Sequence, residues 1–126
     1  MALGCLSGCV PMARLQIYNN TDRAITVTIF RENEFAGGRL EPGKIFDTAF
    51  YGAKMKIESG TNVWRYRPPV NYPSGMDRYW KTRGLNSFAL RIQVEADGTL
   101  YVLTKKMSFP VSAAGPDTEM ILVKPE

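Results

Sequence analysis

Four apolar side chains spaced two apart, Phe88, Leu90, Ile92 and Val94, alternate with Ala89, Arg91, Gln93 and Glu95. Successive side chains leave an extended backbone on opposite faces, so this period is the mark of a β-strand with one apolar side. The pattern recurs at Ile25, Val27 and Ile29, with Thr26 and Thr28 between them. Their branched β-carbons suit a pleated surface. No stretch carries a helical period over a helix of normal length. The chain is therefore expected to be all-β, and each strand must find partners for its backbone as well as cover for its apolar face.

The turns suggest the pairings. Ala96-Asp97-Gly98 reverses the Phe88–Glu95 strand into Thr99–Lys105. A two-residue Asp-Gly loop would pair Val94 with Tyr101 and put Leu100 and Val102 outside. A three-residue loop with Gly98 left-handed pairs Val94 with Leu100 and Ile92 with Val102; it keeps the more aliphatic set inside and is favoured. A slip of one residue would turn that set to water. A second hairpin, Lys54 to Arg67, bends around Ser59-Gly60-Thr61-Asn62. Its register puts Ile57 opposite Trp64, Met55 opposite Tyr66, Lys56 opposite Arg65 and Lys54 opposite Arg67. Asn19-Asn20-Thr21-Asp22 is turn chemistry, and it suggests a hairpin of Arg14–Tyr18 with Ala24–Phe30. Arg31-Glu32-Asn33-Glu34 reads as a charged connector, and Gly37-Gly38 and Glu41-Pro42-Gly43 as turns. Leu40 falls on a short strand between those turns, Lys44–Tyr51 forms another, and Met120–Val123 the last. Together these predict a small antiparallel β-sandwich, Ig-like or transthyretin-like, of about eight short strands, with a small barrel as the alternative. Val27, Ile29, Ile92 and Val94 are its expected core.

The 126 residues suit one domain and include no histidine. That removes Ser-His-Asp and Cys-His catalysis and His-ligated zinc or haem. The only two cysteines are Cys5 and Cys9. The carboxylates sit mostly in turns, and Gly37-Gly38 lacks the Lys-Ser/Thr of a phosphate loop. The chain is expected to be non-catalytic, with no cofactor and no metal.

Charge is concentrated rather than spread. Between Thr61 and Ser87 lie Arg65, Arg67, Arg78, Lys81 and Arg83 against the single acid Asp77, a balance equal to the +4 of the whole chain. Trp64, Tyr66, Tyr72, Tyr79 and Trp80 share that stretch. Within it, Pro68 to Arg83 reads as a long irregular segment. Either Tyr72, Tyr79 and Trp80 lie as a lid over one end of the core, or they present a binding surface; long loops are often functional. The hairpin register sends Met55, Ile57, Trp64 and Tyr66 to the core and Lys54, Lys56, Arg65 and Arg67 to the other face, with no acid among those four. If the face is only a solvated one, Glu41 or Asp47 on a neighbouring strand is expected to neutralise it, or the long side chains to splay into water. The expected anion- or partner-binding set is Lys54, Lys56, Arg65, Arg67, Tyr72, Arg78, Tyr79, Trp80, Lys81 and Arg83.

Met1 to Pro11 is apolar, uncharged and without alternation. From the residues alone it is a tail with a Cys-x-x-x-Cys pair, too few ligands for a zinc site. Leu6-Ser7-Gly8-Cys9 resembles the lipobox of bacterial lipoproteins at all four positions. Ala2-Leu3-Gly4-Cys5 is a poorer match. The resemblance implies residues 1–13 as signal remnant and tether and a lipid on Cys9; it leaves 14–126 as the single β-sandwich domain that the alternation predicts. An export signal needs a charged start and about 7–15 apolar residues, so its beginning is expected upstream of Met1. Val10 stands where an inner-membrane retention signal would have Asp, which implies the periplasmic face of the outer membrane. The partners implied are the membrane through that lipid, and another envelope protein, peptidoglycan or lipopolysaccharide. The competing expectation is a soluble basic barrel binding single-stranded nucleic acid, with aromatics on bases and arginines on phosphates.

Overall fold

The computed structural model describes residues 12–31, 34–49, 54–66, 79–82, 87–112 and 120–126. Cys5, Cys9, Arg67, Tyr72, Arg78 and Arg83 lie outside the described residues. Ten strands form two sheets: β1 (Met12–Asn19), β2 (Ile25–Arg31), β3 (Glu34–Leu40), β4 (Ile45–Ala49), β5 (Lys54–Ser59), β6 (Asn62–Tyr66), β7 (Lys81–Thr82), β8 (Ser87–Val94), β9 (Leu100–Val102) and β10 (Ile121–Val123). One sheet has the order β10-β9-β8-β1-β4, with β7 also on β8; the other has the order β3-β2-β5-β6. Neither closes into a barrel. The fold is a small β-sandwich, as the alternation implies, but a mixed one, because β1 and β8 run parallel.

The core fills the space between the sheets. Leu15 and Ile17 of β1 and Leu90, Ile92 and Val94 of β8 meet Ile25, Val27 and Ile29 of β2 and Met55 and Ile57 of β5. All four residues expected there, Val27, Ile29, Ile92 and Val94, are buried.

The expected hairpin of β1 with β2 does not form. β1 pairs with β4 and β8, while β2 pairs with β3 and β5 in the opposite sheet. Side by side in one sheet, the apolar faces of β1 and β2 would point the same way; on opposite sheets they cover each other. Asn19 makes the crossing. Its buried side chain donates to the carbonyls of Arg23 and Leu40, both at 2.9 Å, and its Oδ1 accepts from Thr21 N and Oγ1. Its backbone bonds Lys44 and Gly43. One side chain thus ties the end of β1, the approach to β2 and the end of β3.

Gly37 and Gly38 lie within β3, not in a turn, opposite Thr28 and Val27. A Cβ on Gly37 would run into the carbonyl oxygen of Val27, so close backbone approach is what the glycine serves here.

The β8–β9 hairpin takes the three-residue register. Val94 opposes Leu100, Ile92 opposes Val102, and Gly98 has φ +88°. The other face of β8, however, is also covered, so a slip would not expose its side chains to water. Residues 103–112 fold back as a strap across that face. Arg91 Nη1 donates to Met107 O at 2.6 Å and Nη2 to Thr104 O at 2.7 Å. Gln93 exchanges two bonds of 2.8 Å with the backbone of Val111. Phe109 stacks on Tyr18, centroids 5.0 Å apart.

Two predictions follow from this packing. Ile92→Ala should cost roughly 2–5 kcal/mol in chemical denaturation, the range for truncating a well-packed aliphatic side chain; a cost below about 1 kcal/mol would contradict the placement of β8. In the turn, Asp97 accepts from Thr99 N at 2.9 Å, and that bond, with Lys124 nearby, holds its carboxyl below the usual range. A lowered folded pKa contributes stability above the unfolded value near 3.9, and loses it as pH falls through the folded value. Asp97→Ala should therefore be less stable than the parent at neutral pH, with the gap closing under acid; a gap independent of pH would refute this.

Candidate functional site

The β5–β6 hairpin has the register expected for it: Met55 opposite Tyr66, Lys56 opposite Arg65, Ile57 opposite Trp64 and Glu58 opposite Val63. Met55, Ile57 and Tyr66 are buried, and Trp64 packs half-buried against the core. Tyr66 Oη donates to Gly98 O at 2.7 Å. Burial, with Asp97 nearby, pushes its pKa up, so the phenol keeps the proton it donates. The indole of Trp64 lies against Gly98 so closely that a Cβ there would meet the ring at 2.9 Å. These contacts fix the inner face of the ribbon and thereby the direction of the outer one.

On the outer face Lys54 and Arg65 are exposed and Lys56 is half-buried. Lys56 and Arg65 are directly opposed. Like charges so placed repel and reduce stability. The acids expected to relieve them are engaged elsewhere. Asp47 is bound by Arg14 at 2.9 Å and Gln16 at 3.1 Å in the other sheet, and Glu41 pairs with Arg39. The relief comes instead from Glu58, two residues from Lys56 on the same strand and hence on the same face, at 3.8 Å. Exposed pairs of this kind are worth about 0–1 kcal/mol. Lys54 and Arg65 have no acid partner among the described residues.

The neighbouring strands extend this face. Phe30 and Phe35 are directly opposed across β2–β3 and are 39% and 75% exposed. Phe30 also opposes Lys54 across β2–β5, and Lys56 Nζ stands 5.8 Å from the centre of its ring. Between the phenyls and Arg39 the surface is low, made by Gly37, Thr28 and Thr26. The result is an open sheet face with cations on one half and two aromatic rings on the other.

No protein-family model matches the chain, and no curated protein matches it.

Three of the expected binding residues do not join this face. Tyr79 and Trp80 are buried in the core cluster. Their rings are not presented at the surface. Lys81 belongs to β7, opposite Ala89 in the six-stranded sheet. Ala89 in turn lies beside Arg14, out of phase with the core residues Leu15 and Leu90, so Lys81 points to the far side of the sandwich from Lys56. The irregular segment thus ends in a strand that completes β8, because the backbone of Phe88 and Ala89 needs partners where β9 stops.

The aromatic half of the face was not singled out from the sequence. For Phe30 the signal was present: it is in phase with Thr26 and Thr28, which face out, and out of phase with Ile29. For Phe35 it was obscured by the charged residues on either side of the β2–β3 connection.

Among the described residues no three His, Cys, Asp or Glu side chains cluster as a metal would require. The groups on the open face are ammonium, guanidinium, hydroxyl and phenyl. These bind by charge and by contact.

Proposed function

We propose that this chain is the sandwich domain of a lipid-anchored envelope protein that binds an anionic glycan without catalysis. The tether is Cys9, on the periplasmic face of the outer membrane, and the binding surface is the open face of the four-stranded sheet. The observation that carries the binding reading is the direct opposition of Lys56 and Arg65 on an exposed sheet face. Folding alone does not favour that arrangement, and an anion offsets it. Phe30 and Phe35 supply flat apolar surface beside the charges, which suits a sugar ring bearing phosphate or carboxylate, as in lipopolysaccharide or peptidoglycan. Several acyl chains on Cys9 would give stable anchoring where one would bind only weakly.

Lys56→Glu combined with Arg65→Glu is the direct test. Affinity for lipopolysaccharide should fall and its salt dependence flatten, with the circular dichroism of the sheet unchanged. Unchanged binding at low salt would make the ribbon a solvated face only.

A second reading has its own observation. Exposed aromatics next to cations on a sheet face are also what single-stranded nucleic acid stacks on. Oligo-dT binding that is lost in Phe35→Ala and exceeds lipopolysaccharide binding would favour it.

The tether is tested separately. Expressed with the codons upstream of Met1, the protein should be membrane-bound and carry lipid label. Cys9→Ser should abolish that label and Cys5→Ser should not; label surviving Cys9→Ser would overturn the assignment.

A further inference from the structure

The outer face of the six-stranded sheet holds a second feature, independent of the tether and of the basic ribbon. Where the strap leaves β7 and β4 uncovered there is a pocket of about 330 Å³. That is within the range of small-molecule sites, about 300–1,000 Å³. Ala89 and Arg91 of β8, both buried, contribute to it from beneath, and Gln16 of β1 lies beside them. Ile45 and Phe109 add apolar wall, and Lys81 and Ser108 are exposed.

Arg91 is the unusual member. It is 5% exposed, and its hydrogen bonds go to the two neutral carbonyls of Met107 and Thr104. No carboxylate pairs with it among the described residues, and its Nε is a buried donor without an acceptor. Burial works against the charged form, yet a guanidinium stays protonated at neutral pH. An uncompensated charge in a region of low dielectric acts more strongly on its surroundings than the same charge in water. Lys81 adds a second positive charge, and it has no acid partner among the described residues. No carboxylate is among the described residues that line the pocket; Asp47, beside Gln16 across β1–β4, is held by Arg14 and by the amide of Gln16.

We propose that this pocket binds a small organic anion, with a phosphate or carboxylate head between Lys81 and Arg91 and a short apolar body against Ile45 and Phe109. The head brings to Arg91 a negative charge that no described residue supplies. Lys81 makes the direct contact from the open side. Ala89 is the small residue that leaves the room, and stacking of Phe109 on Tyr18 holds the apolar wall in place. The strap, pinned by Arg91 and Gln93, forms one side of the site and the sheet forms the other.

The test is a titration of the full chain with phenyl phosphate, followed by amide chemical shifts. Inorganic phosphate and benzyl alcohol serve as probes of head and body alone. Saturable binding should move the amides of Ala89, Arg91 and Phe109, and phenyl phosphate should bind more tightly than either half. Lys81→Met, at an exposed position, should weaken binding about tenfold, the size of one charge-assisted contact. Lys56→Glu with Arg65→Glu should leave it unchanged. The proposal is overturned by the absence of saturable binding at millimolar probe, by shifts that map to β5 and β6, or by an affinity indifferent to Lys81→Met. Inorganic phosphate binding as tightly as phenyl phosphate would overturn the apolar half of the site.

Discussion

Burial of β8 on both faces is the constraint on which the molecule depends. One face carries Leu90, Ile92 and Val94 into the core, which the hydrophobic effect favours without further arrangement. The other carries Arg91 and Gln93, and polar groups taken out of water must be given partners. The strap has the reciprocal need, because its backbone carbonyls and N–H groups lie on a sheet face with no strand beside them. Each need meets the other. Gln93 bonds Val111 in both directions, as a strand would, and Arg91 spans from Thr104 to Met107. The strap is therefore held by side chains of the strand it covers, and β8 occupies a position that a sheet strand with one wet face could not.

The two outer faces differ as a consequence. That of the six-stranded sheet is roofed over β8, leaving a pocket beside β7. That of the four-stranded sheet is open, low in its middle, and carries opposed cations next to two phenyl rings. The division separates Lys81 from Lys56 and Arg65, so the two described cations of the stretch between Thr61 and Ser87, Arg65 and Lys81, lie on opposite sides of the sandwich. A flat open face offers room to an extended ligand, and a pocket walled by strap and sheet to a compact one.

The features legible in the sequence were those in which turn chemistry and alternation act on the same few residues. The registers of β5–β6 and β8–β9 followed from Gly60-Thr61 and Gly98 with the apolar phase of their flanks. Alternation could not say which sheet a strand joins. β1 and β2 each show one apolar face, and that pattern fits neighbours in one sheet as well as partners across a core. The decision rests on Asn19, whose residue type reads equally as a turn and as a buried tie. Gly37-Gly38 failed for a related reason: glycine marks close backbone approach inside a strand as well as reversal of the chain. Arg91 and Gln93 looked like solvent-facing residues because alternation alone counts a polar side chain as wet. The strap that covers them carries no periodic signal, as its bonds are made by side chains of β8. Glu58 beside Lys56 was legible from period two alone, and so was Phe30.

The dependence on β8 can be measured directly by native-state hydrogen exchange. The amides of Ile92 through Val94, buried and lying between β1 and β9, should be among the slowest in the molecule and should exchange only through global unfolding. Those of the edge strand β6 should exchange faster, through local opening. Exchange in β8 as fast as in β6 would mean that the strap does not close over the sheet, and would contradict the arrangement on which the pocket beside β7 rests.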